Sequence, residues 1–200
     1  MNRLKERCTM QADWRILALL LALLPTGMPA AGSPILSAEA KPMTIMLNSP
    51  VFSQNGAIPK RYTCEGEDVS PELAWSGLPP ATSSLVLIVD DPDAPDPAAP
   101  QTTWVHWVLY NIPPQAGGLK AAVPAAKLPA GTKEGLNDWN RTGYGGPCPP
   151  IGRHRYFHKL YALDIVLPDL GKPTKATLEK AMAGHIISST ELIGTYQKGH

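Results

Sequence analysis

Two short segments concentrate the chemistry of this 200-residue sequence: Asp91-Pro92-Asp93-Ala94-Pro95, and the run from Gly145-Gly146-Pro147-Cys148 through His154-Arg155-Tyr156. The first supplies two carboxylates. The second supplies a glycine-rich loop, an imidazole and a phenol, and His106, inside Trp104–Asn111, adds a second imidazole. Three chemistries could use such a set. Two Asp and two His are donor types for Zn²⁺ or Mn²⁺, but no compact His-x-x-x-His or Glu-containing pair fixes a coordination geometry. A nucleophile–His–Asp hydrolase needs an elbow of the Gly-x-Ser-x-Gly kind, which the chain lacks, and Cys148 is expected to be oxidised. A small anion site is the third. Imidazolium and the free backbone N–H groups of Gly145 and Gly146 would hold a phosphate or carboxylate, while the aspartates orient the histidines and raise their pKa. Only this last use needs every part, the glycine loop included.

Each part also has a plain structural explanation. Asp-Pro-Asp is ordinary turn chemistry, because Asp side chains accept from nearby backbone N–H groups. A lone His106 in an aromatic strand reads as a neutral core histidine. His158, His185 and His200 have no comparable context and read as structural or surface residues. Trp75, Trp104, Trp107 and Tyr161 read as core aromatics.

The elements that must position these residues are mostly strands. Met43–Leu47, Leu85–Val89, Trp104–Asn111 and Phe157–Val166 are rich in leucine, β-branched and aromatic residues and are bounded by Pro, Gly, Asn or Asp. Such runs are strands, and the charge-free Leu85–Val89 is a fully buried one. Alternation puts residues two apart on one face. His106 is therefore expected beside Trp104, Val108 and Tyr110, Asp91 beside Asp93 across Pro92, and His154 beside Tyr156. One helix is expected, Lys175–Ala183, capped by Thr174 and ended by Gly184, with Leu178, Ala181 and Met182 as its apolar stripe. A last strand-like segment, Ile186–Tyr196, follows it. Twenty-two prolines and 17 glycines cut the chain into short pieces, and Pro113–Gly135 reads as a long surface loop. Many strands and one late helix give a mostly antiparallel β fold.

The N-terminus stands apart. Arg3, Lys5, Arg7 and Arg15 precede Ile16–Leu24, a charge-free run of nine residues followed by Pro25 and small residues. That pattern is a secretory signal peptide, and the run is well below the roughly 18 residues of a spanning helix. Cleavage is expected after Ala30 or as late as Ala40, leaving one domain over 41–200 in the periplasm or outside the cell, with no stable membrane insertion. Through Ala30 the chain holds four of its 18 Lys+Arg and two of its 17 Asp+Glu, so the remainder holds 14 and 15 and is near neutral. That balance excludes sequence-independent nucleic-acid binding, which needs a basic face. Of three cysteines, Cys8 leaves with the signal peptide. Cys64 and Cys148 remain as a disulfide in an oxidising compartment or as two buried thiols, and export favours the bridge.

Several blocks together carry a family resemblance. They are Tyr62-Thr63-Cys64-Glu65-Gly66, Ser70-Pro71-Glu72-Leu73-Ala74-Trp75, Asp91-Pro92-Asp93-Ala94-Pro95, His106-Trp107-Val108-Leu109-Tyr110-Asn111-Ile112-Pro113 and Asn137-Asp138. They continue with Gly143-Tyr144-Gly145-Gly146-Pro147-Cys148-Pro149-Pro150, His154-Arg155-Tyr156 and Tyr161-Ala162-Leu163-Asp164. In order and spacing, over about Leu47 to Tyr196, the chain resembles the phosphatidylethanolamine-binding protein family, in particular its bacterial Raf-kinase-inhibitor-like branch. The resemblance implies two antiparallel sheets, sandwich-like, with a late helix. It also implies a shallow pocket for phosphate-like or other small anions, carried over onto Asp91, Asp93, His106, Gly146, Pro147, His154 and Tyr156. No cofactor, metal or catalytic residue is implied. The departures are a proline-rich insert, Asp96–Gln101, and the expected absence of the C-terminal partner-binding extension of eukaryotic members. The expected function is an exported, non-catalytic binding protein for a small anionic or phosphorylated ligand, acting on a protein partner the sequence does not name. The alternatives are a metal-dependent hydrolase using the same Asp/His set and an inhibitor of a protease or kinase docking through the pocket rim.

Overall fold

A computed structural model describes residues 44–199. The signal-peptide segment, its cleavage sites and His200 lie outside the described residues. In chain order the elements are β1 (Met46–Asn48), β2 (Gly56–Ala57), β3 (Leu73–Ser76), β4 (Ser84–Ala94), β5 (Thr102–Ile112), β6 (Gly118–Leu119), β7 (Lys133–Glu134), β8 (Arg153–Leu163), α1 (Lys175–Met182) and β9 (Ile186–Gln197). β1, β3 and β6 form a three-stranded sheet, and a six-stranded sheet has the order β2-β9-β8-β4-β5-β7. The pairings are antiparallel except at one edge, where the two residues of β2 run parallel to β9.

The boundaries depart from the sequence reading where pairing outweighs composition. β4 does not end at Val89 but runs through Asp-Pro-Asp, because Asp91 still pairs with Trp104 and Ala94 with Thr102. β8 begins at Arg153 rather than Phe157, since Arg153 and His154 lie opposite Gln197 and Tyr196 on β9. β1 lies later in the chain than Met43–Leu47. Pro113–Gly135 is not a plain loop: it contributes β6 to one sheet, β7 to the other, and 3₁₀ turns at Pro114–Ala116 and Ala125–Lys127. The helix forms as its caps require. Thr174 Oγ1 accepts from the Thr177 N–H at 3.3 Å, Ala183 closes the last turn and Gly184 takes φ of 83°.

β4 explains the layering. Leu85, Leu87 and Val89 point into the core between the two sheets, against Leu47, Leu73 and Trp75 of the smaller one. Val86 and Ile88 point the other way and meet Val108, Tyr110 and the α1 residues Leu178 and Met182. A strand covered on both faces needs a continuous apolar run rather than alternation. Truncating Leu87, which has no exposed surface, to alanine is expected to cost about 3 kcal/mol.

Where β4 turns polar, its outer face closes with an ion cluster. Asp90 is fully buried. Lys159 Nζ on β8 lies 2.8 Å from Asp90 Oδ1, and Lys175 Nζ from the first turn of α1 lies 2.5 Å from Oδ2. The helix is thus fastened to the sheet by charge at its start and by Leu178 and Met182 beyond it.

Candidate functional site

Two β-bulges aim the chemistry. Val89 pairs with Trp107 and Asp90 with Val105, so one step on β4 spans two on β5 and His106 is the extra residue. A bulge bends its strand and redirects the side chain at the insertion. Simple alternation therefore fails here. Val108 and Tyr110 pack toward α1 with Val105, whereas His106 joins Trp104 in the wall of a pocket. Trp104 is accordingly a pocket residue, not a core one. The second bulge lies on β4 itself: Asp91 pairs with Trp104 and Ala94 with Thr102, which inserts one residue within Pro92-Asp93. The Asp93 N–H donates to Asp91 Oδ1 at 2.8 Å, so the local Asp turn chemistry is present as well, folded into the strand.

A cavity of about 340 Å³ opens at these bulges, with Asp91, His106 and His154 as its ionisable walls. His154 has no exposed surface. Its Nδ1 lies 2.7 Å from Asp91 Oδ2 and its Nε2 lies 3.0 Å from the Ile151 carbonyl oxygen. Both ring nitrogens therefore face oxygen acceptors, one of them the Asp91 carboxylate. His106 is the contrasting case. Its Nδ1 donates to the Gly145 carbonyl at 2.7 Å, leaving Nε2 as an unprotonated acceptor when the ring is neutral. Burial pushes the His106 pKa below its ordinary value, against the opposing pull of the Gly145 carbonyl and Asp91. The expectation that neighbouring aspartates raise it is therefore corrected: desolvation wins.

Tyr156 links the two imidazoles. Its ring meets His106 edge to face at 5.2 Å and stacks on His154 at 6.4 Å between centroids. The residue is 1 % exposed, and its hydroxyl has no hydrogen-bond partner among the described residues. Burial first, and then the Asp91 charge, push the phenol pKa far up. It is a neutral O–H donor at any ordinary pH.

Other residues expected in the site are spoken for elsewhere. Asp93 does not share a side with Asp91. It takes Arg155, with Nε at 2.9 Å and Nη2 at 2.7 Å, and accepts the Arg155 N–H at 2.9 Å. Since His154 and Arg155 are adjacent on β8, their partners diverge to opposite faces. The Arg155 guanidinium holds the Asp93 carboxyl below its usual range. The two glycine N–H groups are not free either. Gly145 donates to the His106 carbonyl at 3.0 Å and Gly146 to Asp68 Oδ1 at 2.6 Å. Glycine is needed here for close approach. A Cβ on Gly145 would strike the Trp139 indole, and one on Gly146 would lie 2.6 Å from the Tyr62 carbonyl. Pro147 lies beside this loop, where its carbonyl accepts the Cys64 N–H at 3.1 Å. Cys64 and Cys148 form a disulfide with Cα atoms 5.4 Å apart, and Cys148 is itself part of the pocket wall.

The phosphatidylethanolamine-binding protein family profile matches residues 48–197. This chain belongs to that family. Among curated relatives, a UPF0098 protein of Methanothermobacter thermautotrophicus is 49 % identical over 154 residues, covering 76 % of this chain and 99 % of its own. One from Aquifex aeolicus is 44 % identical over 152 residues, 74 % of this chain and 85 % of its own. Among solved structures, the phosphatidylethanolamine-binding protein homologue CT736 of Chlamydia trachomatis has a TM-score of 0.72 at 42 % identity, covering 78 % of this chain and 99 % of its own. YbcL of E. coli, described as a new member of the mammalian family, has a TM-score of 0.70 at 29 % identity over the same shares.

Within this member of the phosphatidylethanolamine-binding protein family, sequence reasoning passed over three contributors. Asp68 takes the Gly146 N–H, Asn137 shapes the loop that carries Trp139, and Trp139 itself packs on His106 at 5.2 Å. The Asn137-Asp138 pair was visible as a block, but no local pattern tells which backbone groups a buried carboxamide will serve.

Proposed function

We propose that the chain is an exported, non-catalytic binding protein that recognises phosphate-like or other small anionic groups, and through them regulates or inhibits a partner protein. One observation carries the anion reading: the Tyr156 hydroxyl, buried against the His106 ring, has no hydrogen-bond partner among the described residues, and His106, a wall of the cavity, spends only Nδ1 on the protein. The first can only be useful as a donor in so buried a place. The second is an acceptor at neutral pH. A hydrogen phosphate or a phosphate monoester monoanion matches both, with P–O⁻ accepting from Tyr156 and P–OH donating to His106. The Asp91 carboxylate, which would repel an anion, is turned to the His154 ring, with Oδ2 2.7 Å from Nδ1.

Affinity is expected to rise as pH falls from 8 to 5.5. A monoester loses its second proton near pH 6, and the dianion offers His106 nothing to accept. Protonation of His106 gives the same sign. Calorimetric titration with methyl phosphate across that range tests this; affinity that is flat with pH, or untouched by His106→Ala, overturns the reading.

A metal-dependent hydrolase gains no support, because among the described residues no group of three His, Cys, Asp or Glu side chains is arranged to hold an ion. Nor does the site hold an activated nucleophile. His106 Nε2 and the Tyr156 hydroxyl stabilise a bound anion rather than a developing charge. Phosphatase, esterase and peptidase assays with added Zn²⁺, Mn²⁺ or Mg²⁺ are expected to stay at background, and metal-dependent turnover lost in Asp91→Asn would reverse the assignment. Export rests on the N-terminal pattern. The intact mass of protein recovered from the periplasm should lack the first 30 to 40 residues.

A further inference from the structure

We propose that the Cys64–Cys148 disulfide is a redox-exchange site, opened by a dithiol oxidoreductase, and that its reduction releases one wall of the pocket, whichever ligand that pocket takes. Cys64 and Cys148 are both exposed. A bridge hidden in a fold is screened from attacking thiolates, whereas exposed bridges are the labile and regulatory ones. Cys64 lies on a loop in which Gly66, Glu67 and Asp68 are exposed as well. A partner's thiol therefore has an open approach to the Cys64 sulfur.

The fold does not depend on the bridge. The described residues bury one apolar cluster between the sheets and another under α1, and it is domains too small for such cores that rely on disulfides. The two loops that the bridge joins are also held without it. The Cys64 N–H donates to the Pro147 carbonyl at 3.1 Å, the Tyr144 hydroxyl to the Tyr62 carbonyl at 3.0 Å, and the Gly146 N–H to Asp68 Oδ1 at 2.6 Å. All three act at or before Pro147.

Beyond Pro147 the wall hangs on the bridge. Among the described residues, Cys148–Ile151 takes part in one hydrogen bond, from the Ile151 carbonyl to His154 Nε2 at 3.0 Å. Pro149 and Pro150 have no N–H to add another. Yet Cys148, Pro149 and Pro150 line the cavity. Opening the bridge leaves the core clamped, frees this wall and draws an acceptor away from the buried His154 ring.

The exchange moves two electrons. A thiolate of the partner attacks Cys64 Sγ, the bond between the two cysteines breaks, and its electron pair leaves on Cys148 Sγ, which takes up a proton. The partner's second thiolate then displaces Cys64 Sγ from the mixed disulfide, and that sulfur is protonated in turn. The partner ends as a disulfide and this chain as two thiols.

Reduction of the native, exported form by dithiothreitol and by thioredoxin tests the site, with thiols counted by alkylation and intact mass. The native rate with dithiothreitol should lie within about tenfold of the rate in the urea-unfolded chain, because the fold does not screen the bridge. A rate that instead tracks the unfolded fraction, or a bridge that thioredoxin leaves intact, overturns the proposal. In the reduced protein the amide order parameters of Cys148 and Ile151 should fall from about 0.85 to below about 0.6, while β4, β5 and β8 keep theirs. Cys64→Ser/Cys148→Ser should reproduce that state. Unchanged order parameters, or loss of the folded spectrum when the unsubstituted protein is reduced, would make the bridge a staple of the fold and overturn the assignment.

Discussion

Asp90 and Asp91 are consecutive residues of one strand, and they build two different kinds of polar cluster. Asp90 faces outward, where two ammonium groups, Lys159 and Lys175, converge on one buried carboxylate. Asp91 faces the pocket, where a single imidazole, His154, takes its charge. Around Asp90 opposite charges are paired, and the result is a fastening for α1. Near Asp91 the buried Tyr156 hydroxyl has no partner among the described residues, and His106 spends only Nδ1 on the protein. A buried donor left unpaired costs roughly 1–3 kcal/mol. On the proposed function, the difference between the clusters is that between a structural site and one kept open for a ligand.

The sharpest way to break this comparison is on the Asp90 side. Asp90→Asn leaves two partly buried ammonium groups without a counter-charge. Removal of one member from such a cluster costs about 4 kcal/mol. Urea unfolding is expected to show that loss, while methyl phosphate affinity measured well below the transition stays as in the wild type. If binding falls together with stability, the two faces of the sheet are not separable.

Much of this arrangement is legible in the chain itself. The continuous run Leu85–Val89 declared a strand buried on both faces, Thr174 and Gly184 bracketed the helix, and Cys64 with Cys148 gave the bridge. Asp91, His106, His154 and Tyr156 were named together from residue type and strand ends. What was not legible was facing. Strand alternation has a period of two, and a single inserted residue reverses it. The bulge at His106 turned Val108 and Tyr110 away from the pocket, and the one within Pro92-Asp93 sent Asp93 to Arg155. Bulges depend on the partner strand, so a strand read alone does not show them. Nor could the glycine loop be read as donors or as packing until Asp68 and Trp139, 77 and six residues from Gly145, were seen to occupy it.

A second test uses His158, which shares the inner face with Tyr156 and has no carboxylate partner. Burial lowers its pKa to about 4 from 6.5. The folded protein therefore keeps it neutral while the unfolded chain takes up a proton, so its share of stability is intact above pH 6.5 and is lost as pH falls from there toward 4. The whole interval corresponds to about 3 kcal/mol. His106 acts in the same direction, since burial lowers it too. Asp93, held low by Arg155, loses its contribution only below the unfolded carboxyl range, outside this window. Thermal unfolding at pH 7 and pH 4.5 should show the drop, and His158→Leu should remove most of it. An unchanged slope in that variant would assign the acid sensitivity to the other buried imidazole, His106, and sink the reading of His158 as its main carrier.

The smallest change tests the comparison most directly. Tyr156→Phe deletes one oxygen that hydrogen-bonds to no described residue. If that hydroxyl served the fold, its loss would destabilise the protein. As an unpartnered buried donor, its removal should leave stability unchanged or raise it by up to about 1 kcal/mol. Binding should respond in the opposite sense. The hydroxyl is the neutral donor proposed to meet the anion, and a hydrogen bond to a charged acceptor is worth roughly 1.5–3 kcal/mol, so methyl phosphate affinity should weaken at least about tenfold. Chemical denaturation and calorimetry on the same sample read both quantities. A variant that is less stable and binds as before would make Tyr156 a structural residue like Asp90, and the contrast between the two clusters would be lost.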